Sequence, residues 1–290
     1  MEELALIIFT ICLQAAIGMI CFAAVVKFLN KKAVLRTTIV SAAILSVFGL
    51  LASFLHLGQP LHAANALAHF TTSWLSREIW LTGAFTGLIV VAALLILVKP
   101  AAQGVVRMLL AVAALIGLLD VYAMASVYTF SGIAAWHSGS VTVEFYAAAL
   151  SMGAVLFLAL GGAEAAEIRQ PAVKTAGIAV GLQVIAMMVY SIQLGLNSGL
   201  ASQLSLALLG TMNGVMVAKW LFILLGTGML VFPAPGRVQA SSSGQAALET
   251  AAAGSVGSGI YVAGVLLVLG QIVGRYLFYA IMIAGRVGLS

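Results

Sequence analysis

The sequence predicts an all-α, polytopic membrane protein of eight transmembrane helices, and three observations carry that prediction. Of 290 residues, 63% are hydrophobic and 7% charged, with a mean hydropathy of +1.18, whereas ordinary soluble domains are about 25% charged. Eight unbroken apolar runs reach the roughly 20 residues that a helix needs to cross about 30 Å of hydrocarbon. The basic residues gather at the ends of those runs, as membrane orientation requires and nucleic-acid binding does not. A soluble core of this size could not hide so much apolar surface. The runs are continuous and rich in Ala and Leu, without the every-second-residue alternation of a membrane β-barrel.

The predicted spans are 4–26, 38–57, 78–98, 105–127, 143–163, 173–195, 212–232 and 258–283. The first follows "MEEL", with Glu2 and Glu3 where a cleavable leader carries Lys or Arg, and its length suits a span. It holds Cys12 and Cys21, whose spacing fits neither a disulfide framework nor a metal motif. Span two ends in "LHLGQP", where Gly58 and Pro60 stop the helix. Span three opens on Glu78 just after Ser76, span four carries Asp120, and span eight carries Arg275 within "GQIVGRYLFYA". All of 1–290 reads as one integral membrane domain, in which the Ser-, Gly- and Ala-rich stretch 233–259 is a flexible cytoplasmic linker between spans seven and eight. An echo between "FLHLGQP", before Arg77, and "SIQLGLN", before Lys219, suggests two four-helix halves repeated in parallel.

Orientation follows from charge. Nine of the thirteen basic residues lie on odd-numbered connections: Lys27, Lys31, Lys32, Arg36, Lys99, Arg107, Arg169, Lys174 and Arg237. Arg77, Lys219 and Arg286 lie on the other side, and Arg275 lies inside a span. The odd connections are therefore expected in the cytoplasm and both termini outside. The outer connections hold His62, His69, His137, Trp74 and Trp136, and the tryptophans read as interfacial-belt rings.

Ionisable groups at membrane depth are costly and default to function. His56 falls roughly 28 Å along span two at 1.5 Å per residue, near the outer boundary of the hydrocarbon. Glu78 opens span three at the same end. An imidazole with an ordinary pKa of about 6.5 beside a carboxylate is a proton acceptor with an exit route. The alternative for Glu78 is a first-turn carboxylate that complements the helix dipole, and for His56 a bond to a backbone carbonyl. Asp120 and Arg275 both lie in the outer halves of their spans and are candidates for an ion pair. Gly83/Gly87 and Gly270/Gly274 read as close-packing pairs. Facing histidines within spans, cysteine clusters, nucleotide-binding glycine patterns and metal-ligand spacings are missing from the sequence. No metal site and no b-type haem is therefore expected, and redox work would pass electrons to a cofactor in a partner.

Several stretches resemble the membrane-anchor subunit family of dimethyl sulfoxide reductase, DmsC: "IFT" at 8–10 with Gln14 and Gly18, "SFLHLGQPLHAANAL" at 53–67, "LSREI" at 75–79, "VY" at 127–128 with Trp136, and "GQIVGRYLFY" at 270–279. The likeness covers most of the chain, and "LHLGQP…SREI" is its most specific part. It implies eight helices with outward termini in the bacterial inner membrane. It also implies a complex with a molybdopterin catalytic subunit and an iron–sulfur electron-transfer subunit, working in anaerobic respiration. The family's anchor oxidises menaquinol without haem, and its quinol-site histidine and glutamate match His56 and Glu78. Gly58, Gln59 and Arg77 complete the candidate quinol-binding set. The chain departs from the family pattern at Gln271, where an acid tends to stand, at Ser126, where a basic residue occurs, and at Arg77, where a neutral one occurs.

The expected mechanism has menaquinol entering from the lipid at the outer, periplasmic ends of spans two and three. His56 takes a quinol proton and Glu78 relays it outward, while electrons pass to the partner's iron–sulfur cluster. Two other classes stay open: a proton-coupled transporter, and a quinone-free structural anchor.

Overall fold

The structure is a computed structural model, and it describes residues 2–55, 68–232 and 257–280. Among the described residues it is entirely helical, and eight helices are long and apolar enough to span a bilayer. They are α1 (Glu2–Leu29), α2 (Arg36–Leu55), α3 (Trp74–Val98), α4 (Gln103–Thr129), α5 (Gly139–Leu160), α6 (Arg169–Leu196), α7 (Asn213–Val231) and α8 (Gly257–Ala280). The linker assigned to 233–259 lies almost wholly outside the described residues; only its last three positions appear, as the start of α8.

Boundaries differ from expectation where caps or short turns intervene. Helix α3 starts four residues early because the Ser73 hydroxyl accepts the Ser76 N–H at 3.4 Å. Helix α5 also starts four residues early, at Gly139, behind the Ser138 hydroxyl, which accepts the Ser140 N–H at 3.2 Å. Between α5 and α6 the chain turns at Gly162, whose φ of +56° suits glycine, and makes two short helical turns, Gly162–Ala165 and Ala166–Ile168. Pro171 falls in the first turn of α6, where its missing N–H costs nothing. The connection before α7 contains a further helix, Leu200–Thr211, that the apolar pattern did not separate from a loop.

The packing order repeats. Helices α1, α2, α3 and α4 each touch the next, and α4 returns to α1; helices α5, α6, α7 and α8 do the same, with α8 returning to α5. The two rings meet along α1 and α5, flanked by α4 against α5 and α8 against α1. The two halves of the chain thus follow the same packing order.

At the centre, α1 and α5 cross backbone to backbone. A Cβ on Gly18 would overlap the Ala149 carbonyl and Gly153, and one on Gly153 would overlap the Gly18 backbone. The small-residue pattern Ala149-x-x-x-Gly153 is the local signal for this approach. Of the two glycine pairs expected to pack closely, Gly270 and Gly274 do, against Ile223 and the Lys219 stem. Gly83 and Gly87 do not: they sit on an exposed face of α3 with open space around them. Spacing alone cannot say which face of a helix meets a neighbour.

At the end opposite the start of α1, Lys27 is buried and donates to the Ala33 carbonyl and the Gln103 side chain. Nearby, the Glu164 carboxylate accepts the N–H groups of Val34 and Leu35, each at 2.6 Å, and so latches the α5–α6 corner to the α1–α2 connection.

Candidate functional site

The buried ionisable side chains away from that corner lie toward the end where α1 begins, here called the upper end. They form two groups, one in each ring.

In the first ring, Glu78 stands at the fifth position of α3 and is 5% exposed. It lies beyond the first turn, and Ser73 serves as the cap, so the dipole-capping alternative for Glu78 does not hold. Its carboxylate makes no hydrogen bond among the described residues, although Asp120, Tyr128 and Tyr279 are within electrostatic reach. One turn further along α3, the Thr82 hydroxyl donates to Asp120 on α4, 3.0 and 3.2 Å from the two carboxylate oxygens. Asp120 is fully buried. A hydroxyl pair, Tyr128 on α4 and Tyr279 on α8, bonds at 2.8 Å across the boundary between the rings.

His56, Gly58 and Gln59 lie outside the described residues, as does His62. Arg77 is placed, and it faces away from Glu78's surroundings: it donates to the carbonyls of Phe70 (3.0 Å) and Thr71 (2.6 Å) and lies 4.2 Å over the Trp74 ring. It braces the connection leading into α3. Trp136 is no belt ring. It is buried, stacks on Phe278 with centroids 5.1 Å apart, and donates from Nε1 to the Phe278 carbonyl at 3.3 Å.

In the second ring, Lys219 on α7 pairs with Glu144 on α5 at 2.5 Å. Asp120 and Arg275, the candidates for an ion pair, take other partners. Asp120 takes Thr82, whereas Arg275 donates from Nη2 to Gln14 on α1 at 2.9 Å and lies 3.8 Å over the Phe145 ring. Gln271, the position where an acid tends to stand, exchanges two amide hydrogen bonds of 3.0 Å with Gln183 on α6 and donates to Ser151 at 3.3 Å. A cavity of about 60 Å³ lies among α5, α6, α7 and α8, lined on its polar side by Glu144, Tyr190, Lys219, Gln271 and Arg275.

Sequence reading missed the Glu144–Lys219 pair. Placing the start of span five at 143 made Glu144 a boundary residue, and Lys219 read as a basic residue marking a helix end. The Ser138 cap moves Glu144 into the second turn of α5, and packing buries Lys219 to 3% exposure.

With the fold and these two groups described, similarity to known proteins decides the family. The family model for the DMSO reductase anchor subunit (DmsC) matches residues 1–281. The chain belongs to that family. The anaerobic dimethyl sulfoxide reductase chain YnfH of Escherichia coli K12 is 29% identical over 163 residues, 55% of this chain and 57% of that one. The C subunit of the anaerobic dimethyl sulfoxide reductase of Haemophilus influenzae is 32% identical over 162 residues, 54% of this chain and 58% of that one. This DmsC-family protein thus spans little more than half the length of the curated relatives it matches. No solved structure matches it.

Proposed function

We propose that this chain is the quinol-oxidising membrane anchor of a three-subunit molybdopterin reductase. It takes electrons from menaquinol at the periplasmic face and hands them to an iron–sulfur partner, while the molybdopterin subunit reduces the terminal acceptor. The observation that carries the reading is Glu78: a buried carboxylate with no hydrogen bond among the described residues, on the α3 end of the connection that follows directly from α2 and His56.

A carboxylate in that setting has an open acceptor position for a substrate hydroxyl. Oxidation of one quinol releases two electrons and two protons; His56 and Glu78 take the protons, and the partner takes the electrons. Geometry and proton acceptance do the work, each proton acceptor contributing about 10²–10⁴-fold. An apolar groove between α2 and α3, lined by Val47, Leu51 and Val90 among others, opens to the lipid below this site and suits an isoprenoid tail. The charge bias of the connections supports outward termini.

The test is Glu78→Gln in membranes carrying the whole complex. Quinol-supported turnover is expected to fall at least about 100-fold, while the complex stays assembled and still accepts electrons from a soluble dye donor. Wild-type quinol oxidation in this variant rules the assignment out and favours a passive anchor.

A further inference from the structure

We propose that the cavity enclosed by α5, α6, α7 and α8 is a binding site for a small oxyanion of phosphate type. The argument starts from charge. Two cations line the cavity, Lys219 (3% exposed) and Arg275 (4% exposed), against one acid, Glu144. Lys219 and Glu144 neutralise each other at 2.5 Å, which leaves Arg275 over. Its charged and phenolic neighbours are Tyr279, Tyr128 and Glu144; the acids of the first ring are not among them. Among the described residues its only hydrogen bond goes to neutral Gln14, and its buried Nε has no partner.

A guanidinium out of water without a counter-charge is costly, and its planar fork matches an oxyanion. Size admits the ligand. About 60 Å³ of space open to water-sized groups is room for several water molecules, enough for a phosphate group.

Access fits an amphiphile. Met187 lines the cavity and also a lipid-facing groove of about 320 Å³ shared by α6 and α7, which Trp220 closes on the α7 side. Methionine side chains yield readily, so a lipid headgroup can pass sideways while its chains stay in the groove. The same oxyanion chemistry would also accept free phosphate, so the source is left to the experiment.

The experiment uses the full chain in nanodiscs of phosphatidylcholine, alone, with added inorganic phosphate at matched ionic strength, or with phosphatidylglycerol included. Thermal unfolding and the phospholipid retained after detergent washing are read. Either anion is expected to raise the midpoint by a few degrees through binding to the folded state. A rise with phosphatidylglycerol alone, with about one retained molecule per chain, assigns a lipid source; a rise with inorganic phosphate assigns a soluble one. Arg275→Gln and Lys219→Gln should each abolish the increment, whereas Lys174→Gln, at the opposite end, should keep it. If Arg275→Gln does not fold, Lys219→Gln alone decides. No rise with either anion, or a rise undiminished in the folded cavity variants, overturns the proposal. The readout contains no turnover, so it is independent of whether quinol is oxidised at Glu78.

Discussion

The two four-helix rings share a packing order and differ in charge. Among the described residues, the buried side chains of formal charge at the upper end of the first are acids, Glu78 and Asp120; in the second they are Lys219 and Arg275, with Glu144 paired to one of them. The correspondence extends to single positions. Asp120 and Tyr128 stand eight apart on α4, as Gln271 and Tyr279 do on α8. Eight residues are a little over two turns, so both members of each pair lie near one face. The comparison teaches that one helix packing order can carry buried side chains of opposite charge at matched depth.

If the rings share one scaffold, its most sensitive point is where they cross. Gly18→Leu forces a side chain into the Ala149 carbonyl and Gly153, and a loss of about 3 kcal/mol or more is expected, read as failure to accumulate in membranes or a collapsed thermal midpoint. A wild-type midpoint would break the picture of a shared axis.

Charge is the next lever. Lys219→Met strands Glu144 and should cost about 3 kcal/mol, whereas the double change with Glu144→Leu should be close to neutral, because a desolvated ion pair contributes little net stability. Equal losses in the single and double variants would show that the pair is more than a local balance. Tyr128→Phe removes the hydroxyl bond between the rings, and about 1 kcal/mol is expected in thermal unfolding. Quinol turnover close to normal in that variant would show that the rings work separately. The smallest effect is expected at Gly83→Ala, which fills open space on an exposed helical face and should stabilise by about 0.5–1 kcal/mol.

How much of this was legible in the sequence follows the same division. Span count could be read because lipid solvent enforces long apolar runs. Helix ends could be read only to within a few residues, since Ser73 and Ser138 cap earlier than hydropathy changes. Glu78 stands out in the sequence as an acid at a span's edge, and the resemblance supplies the role proposed for it. Glu144 and Lys219 were hidden because their significance lies in an encounter between α5 and α7, separated by 75 residues. Arg275 stands out within its span, but its partner Gln14 does not: depth along a helix is readable, azimuth is not. Trp136 shows the same blindness, since a ring in a connection can fold inward onto Phe278 as readily as outward into headgroups.

The Glu164 latch has a consequence for biosynthesis. Leu35 is a buried non-glycine residue at φ +53°, and the carboxylate that holds its N–H is encoded 129 residues later. At roughly 5–20 residues per second, the ribosome supplies that acid on the order of ten seconds after the first hairpin emerges. Until then the strained corner lacks the Glu164 clasp, so the amino-terminal ring is expected to finish maturing only after the other half's first turn-around has been inserted. Two separately expressed half-chains should therefore mature only when they meet in the same membrane.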